Sequence, residues 1–236
     1  MLSISGKTVK PLDRIKLANR RLSGVSFTHD GKSALVGLRD DQGVTVLDVS
    51  GTTVKPTGDR VSTGVGPYAI DVSSDGHWAV VSDAGLASQS PDPGRFIGDV
   101  DAVTLIDVSN RPFRAVRHIT VPPTPEGAAL SPDGKWLAVQ CLNGSNLTAD
   151  NPGRQKLGKI LLFAVNDDGT VTKTGELPSG DASQGLVFTR DSRTILVQFD
   201  VERALAVYRI ENRTLVDTGQ RIKLAAGPVS IRSMPR

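Results

Sequence analysis

One cysteine, Cys141, is the entire thiol complement of the 236 residues, so the chain has no internal disulfide framework. It also has no C-x-x-C pair to hold zinc and no C-x-x-C-H element to attach haem. Long apolar runs are missing as well. The longest, Ile160 to Val165, is about a third of the ~20 residues that a membrane helix needs, so no membrane span is expected. Aromatic residues make up only 4% of the chain, and charge of one sign never accumulates: 28 Lys and Arg mix with 25 Asp and Glu for a net charge of +3. Without a basic stripe interleaved with aromatics, no nucleic-acid partner is expected. Met1 to Lys10 lacks the charged-then-apolar arrangement of an export signal, so none is expected within this chain. There is no H-E-x-x-H, no Walker loop and no EF-hand spacing, hence no expected metal or cofactor. No window carries a 3.6-residue apolar period over a helix-length span, which limits helices to short pieces.

Turn formers are abundant instead, with 24 Gly and 14 Pro. The pattern S/T-x-D-G recurs as Thr28-His29-Asp30-Gly31, Ser73-Ser74-Asp75-Gly76 and Ser131-Pro132-Asp133-Gly134, and in a decayed form as Thr189-Arg190-Asp191-Ser192. Asp-Gly suits a tight hairpin because Gly accepts positive φ and Asp bonds its own backbone. Before each tip lies a short strand (24–27, 69–72, 127–130, 185–188), and after it a β-branched strand (34–38, 78–82, 136–141, 194–199). A third, alternating strand follows in each copy (44–49, 103–108, 160–165, 204–210), then a more polar fourth (54–62, 113–121, 171–177, 215–224). Four antiparallel strands repeated in tandem have the period of propeller blades, which hide both faces of a small sheet by stacking radially.

The expected fold is therefore all-β: a β-propeller of four full blades of four strands (20–64, 65–122, 123–180, 181–225) with partial blade strands at both ends. Residues 1–19 supply outer strands, because Ser5-Gly6-Lys7-Thr8-Val9-Lys10-Pro11 repeats as Ser50-Gly51-Thr52-Thr53-Val54-Lys55-Pro56. Residues 226–236 supply an inner strand, because Pro228-Val229-Ser230 aligns with Pro125-Glu126-Gly127. The blade shared between the two ends lacks a second strand. A truncated propeller with further blades upstream accounts for this; the rival is a ring of five blades, one of them defective.

Val80-Val81-Ser82-Asp83, the turn Ser131-Pro132-Asp133-Gly134-Lys135 and the third-strand pattern Val-x-Val/Leu-x-Asp-Val together resemble the YVTN-type propellers. These are similar in turn to the lactonase-like bacterial propellers of the 6-phosphogluconolactonase type. The resemblance covers nearly the whole chain, and its motifs identify a blade, not a reaction. It implies a longer, seven-bladed parent protein that is periplasmic or secreted, and a monomer if the ring closes.

The loops from strand two to strand three share one face with the connections between blades, where propeller sites usually lie. Two of these loops, 84–100 and 143–158, are enlarged, and both carry one element: Asp92-Pro93-Gly94-Arg95 and Asn151-Pro152-Gly153-Arg154. Asp92, Arg95, Asn151 and Arg154 are thus candidate ligand residues, with the two guanidiniums able to hold a carboxylate or phosphate; the competing reading is turn chemistry with solvated Arg. Seven residues before each turn Asp stand Ser23, Tyr68, Glu126 and Gln184, expected at the channel mouth as ligand contacts or as hydration sites. Glu126 is the candidate general base. His29, His77 and His118 are expected to be structural. Two functions follow: a scaffold binding a protein or small anionic ligand on the enlarged-loop face, or a lactonase-like hydrolase in which Arg95 and Arg154 hold the anion while Glu126 activates water.

Overall fold

The computed structural model describes residues 1–17, 21–89 and 100–233. Four hairpin tips, each built by the same residues, organise it. In the second, the Ser73 hydroxyl donates to Asp75, the Asp75 carboxylate accepts from the His77 amide at 3.1 Å, and the Trp78 amide donates to Ser73 Oγ at 3.0 Å. Asp30, Asp133 and Asp191 accept from Lys32, Lys135 and Arg193 amides in the same way. The fourth position of the tip is left-handed in every copy, including Ser192 at φ 57°. The S/T-x-D-G pattern therefore persists because each of its polar atoms ties a reversing backbone.

Each tip joins an inner strand to a second strand, and four four-stranded antiparallel sheets result. A separate hairpin of β1 (Leu2–Ser5) and β2 (Thr8–Pro11) precedes them. Blade one is β3 (Leu22–Phe27), β4 (Ser33–Leu38), β5 (Gly43–Ser50) and β6 (Thr53–Ser62). Blade two is β7 (Pro67–Val72), β8 (Trp78–Asp83), β9 (Asp101–Asp107) and β10 (Arg114–Val121), with a 3-10 turn at Leu86–Gln89. Blade three is β11 (Pro125–Leu130), β12 (Trp136–Cys141), β13 (Lys159–Val165) and β14 (Val171–Pro178). Blade four is β15 (Leu186–Phe188), β16 (Thr194–Phe199), β17 (Ala204–Glu211) and β18 (Thr214–Lys223).

Most of the core lies between blades. Val80, Val103 and Leu105 of blade two pack against Leu130, Leu137 and Val139 of blade three, and Ile160 and Leu162 of blade three against Ile195 and Val197 of blade four. Every residue of β4 and β8 is buried: β8 lies between blades one and three, while β4 packs on blade two with one face and beneath Leu17 with the other. Inner strands of successive blades meet closely where glycine allows it. A Cβ on Gly24 would stand 2.6 Å from the Tyr68 carbonyl oxygen, and one on Gly127 2.6 Å from that of Gln184.

One expected element does not form. Residues 229–233 join no sheet; they run along the channel beside the inner strands. An inner strand needs a second strand for its ladder, and the described chain leaves none unpaired to serve it. Among the described residues no helix is long and apolar enough to cross a membrane.

Candidate functional site at the channel mouth

Pairing between the inner and second strands slips by one residue near the rim in three blades. The register jumps between Leu22 and Val25, between Pro67 and Ile70, and between Pro125 and Gly127. A bulge adds an unpaired residue and turns its side chain away from the regular pleat. Ser23, Tyr68 and Glu126 fall within these bulges. In blade four, Gln184 stands just before β15, where its amide donates to the Gln198 carbonyl at 3.2 Å. Second-strand side chains take up backbone donors freed by the irregular pairing: Ser82 Oγ accepts from the Ala69 amide at 3.0 Å and Gln198 Oε1 from the Gly185 amide at 3.1 Å.

The four residues line one cavity of about 290 Å³, bordered also by Val229 to Arg232. Two of these residues carry a side-chain oxygen buried without a hydrogen-bond partner, Glu126 Oε2 and Ser23 Oγ, the latter turned towards Gly37 of β4. Burial raises the Glu126 carboxyl to about 7, against a weaker opposing pull from Arg39. The Tyr68 phenol is also raised, first by burial and then by the Glu126 charge, with Arg39 again opposing. Arg39 follows β4 and stacks on the Tyr68 ring, its guanidinium carbon 5.0 Å from the ring centre. Acid, phenol, amide and hydroxyl residues thus line the mouth, with Arg39 behind the Tyr68 ring and outside the cavity lining. Arg39 had no signal in the sequence, because its approach to Tyr68 depends on how blade one leans on blade two.

The enlarged loops contribute differently. Asp92 and Arg95 lie outside the described residues. Arg154 is half-buried and bridges to Asp181, its Nη2 3.1 Å from Oδ2, and it does not line the cavity. Its guanidinium therefore ties loop 143–158 to the blade three to four connection instead of standing beside Glu126. Asn151 Oδ1 accepts from the Gly153 amide at 2.9 Å, the turn chemistry that Asn-Pro-Gly supports.

A second polar cluster lies at the base of loop 84–100. Asp83 Oδ2 accepts from Thr104 Oγ1 at 2.7 Å, and that hydroxyl also meets His118 Nδ1 at 3.0 Å and accepts from the Gly64 amide at 3.3 Å. Burial pushes Asp83 up to about 7, the Thr104 bond opposing. The chain ties β8, β9, β10 and the connection to blade one, a structural duty for His118. Cys141 is buried, and burial holds its thiol protonated. The described residues include no group of three His, Cys, Asp or Glu that could hold a metal.

Blades stacked around a shared channel, with polar side chains turned into its mouth, define a β-propeller. No protein-family model matches the chain, and no curated protein does. Solved structures do. A candidate 6-phosphogluconolactonase from Bacteroides uniformis superposes with a TM-score of 0.70 at 20% identity, over 89% of this chain and 56% of its own. A candidate 6-phosphogluconolactonase from Bacteroides fragilis gives 0.68 at 19% identity, over 94% and 61%. A protein from Lactobacillus plantarum gives 0.66 at 14%, over 92% and 60%. In fold, then, the chain is a β-propeller similar to these neighbours, and it spans somewhat under two thirds of their length.

Proposed function

We propose that this chain is a propeller module that binds a small polar ligand at the channel mouth, on the face that carries the enlarged loops. The observation behind this reading is the buried, unpartnered Oε2 of Glu126, a residue lining a cavity that four blades build together. Leaving such an atom without a partner costs about 1–3 kcal/mol, and a ligand that bonds it recovers it. Arg232, which borders the same cavity, suits a ligand with anionic character.

One observation favours a second reading, hydrolysis of a small lactone. A carboxyl held near 7 is suited to take a proton from water as that water attacks an ester carbonyl, opening the ring to a hydroxy acid. Calorimetric titration and a hydrolysis assay with one panel, glucono-δ-lactone, simpler five- and six-membered lactones and their open hydroxy acids, separate the readings. Binding that Tyr68→Ala or Gln184→Ala weakens at least tenfold, without turnover, supports the first. Turnover that Glu126→Gln lowers by 100-fold or more while binding survives supports the second. Neither binding nor turnover across the panel rejects both.

A further inference from the structure

Asp83 closes the second strand of blade two at a position that is apolar in the other blades. Its counterparts Leu38, Cys141 and Phe199 are buried, so the sheet itself does not call for a carboxyl there. Asp83 is only 1% exposed, and its Oδ1 is buried without a hydrogen-bond partner. Its Oδ2 rests on Gly64, where an added Cβ would stand 2.7 Å away. The groups that act on it come from several elements. Asp101 of β9 disfavours a second anion, the Thr104 hydroxyl of the same strand bonds Oδ2, and the Thr63 hydroxyl and Gly64 amide of the connection from blade one favour the ionised form. Asp101 is itself fixed by the Thr124 amide at 2.7 Å. On β10, His118 is exposed and turns Nδ1 inward to the fully buried Thr104.

Hydrogen-bond arithmetic limits where the protons can sit. Thr104 Oγ1 already accepts from the Gly64 amide and has one proton to give, so it donates either to Asp83 Oδ2 or to His118 Nδ1, and the other atom must donate to it. One proton is therefore always held between Oδ2 and Nδ1, in addition to the hydroxyl's own. A proton on Oδ1 would have no acceptor. We propose that Asp83, Thr104 and His118 form a proton relay in which the buried carboxyl reaches solvent through the imidazole, so that the two groups titrate as one unit. On deprotonation the Oδ2 proton passes to Thr104, the Thr104 proton passes to Nδ1, and the Nε2 proton leaves to water. An ionised Asp83 then faces a neutral His118 that carries its proton on Nδ1. Burial raises the Asp83 carboxyl to about 7, so its contribution to stability is full below about 3.8 and is lost as pH rises through about 7. Above that pH an unbonded carboxylate oxygen stands beside Asp101, and the foot of loop 84–100 is held less firmly. The relay does not depend on the small-ligand reading.

The test is nuclear magnetic resonance of the full chain between pH 5 and pH 9, following the Asp83 carboxyl carbon and both His118 ring nitrogens. One midpoint is expected for all three nuclei, ending at pH 9 with the proton on Nδ1 and Nε2 bare. Thr104→Val keeps the volume but has no hydroxyl, and the carboxyl and imidazole midpoints should then separate by about one pH unit or more. Thr104→Ser, which restores the hydroxyl, should bring them back together and guards against a folding defect in the valine variant. Hydrogen exchange at the Ala84 and Gly85 amides, which bond the Gly66 and Val65 carbonyls, should quicken severalfold beyond the intrinsic pH effect between pH 6 and pH 8. A proton on Nε2 at pH 9, separate midpoints in the parent, or a shared midpoint in Thr104→Val overturns the relay, and unchanged exchange overturns its hold on the loop foot.

Discussion

Glu126 shows how one residue acquires chemistry from its place. Its carboxyl is ordinary in the unfolded chain and is pushed to about 7 when blade three places it in a bulge beside Tyr68. Between about 4.5 and 7 the folded chain therefore binds more protons than the unfolded one. The stability contributed by the neutral carboxyl is full below about 4.5 and is lost as pH rises through about 7. Glu126→Gln, neutral throughout, is expected to lose less stability than the parent between pH 5 and pH 8. Urea unfolding at both values checks this, and equal losses would contradict the burial of Glu126. The position of Glu126, seven residues before its turn Asp, is visible in the sequence; the shift is not, because desolvation comes from atoms of another blade.

At the scale of the element, the inner strand combines two features that oppose each other in ordinary strands. It is bulged at the rim and packed tightly against the next inner strand at a glycine. At Gly127, as at Gly24, backbone and not a movable side chain stands nearest the missing Cβ. Gly127→Ala is expected to destabilise by roughly 1–3 kcal/mol, as overpacking of this kind usually does. A drop in urea midpoint with an unchanged slope would show it; a neutral effect would mean that the inner strands are free to move apart. The strand assignments 24–27, 69–72 and 127–130 begin two residues inside the observed inner strands. The missing residues carry the bulges, where alternation fails, so a period-two pattern stops short of the site. The ion pair of Arg154 was hidden for another reason: its partner, Asp181, lies 27 positions away and meets it only through the fold.

For the whole molecule, stability depends on how blades join, because no sheet here covers its own faces. Arg111 is a joint of this kind. From blade two it donates to Ser33 Oγ at 2.7 Å and to Asp48 Oδ1 at 2.6 Å in blade one, with its guanidinium over the Phe113 ring. Asp48 is largely exposed, so most of the effect should come from the buried Ser33 hydroxyl left without a partner. Arg111→Ala is expected to cost on the order of 1–2 kcal/mol and to speed hydrogen exchange in β4 and β5 more than in blades three and four. Uniform exchange across all blades would show that the joint does not hold blade one in particular.

The amino-acid sequence by itself determined the blades: hairpin tips, strand order and the alternation of third strands are local chemistry, encoded by neighbours a few residues apart. It also marked which four residues face one another across the channel, because a repeat carries each to the same height. Only the tertiary structure decided what those residues experience. Arg39 against Tyr68, the unpartnered Glu126 oxygen, the Asp83–Thr104–His118 chain and the unbonded run of residues 225–233 all depend on distances between segments far apart in the chain. Electrostatic shifts and packing are set by such distances, and a one-dimensional pattern does not contain them.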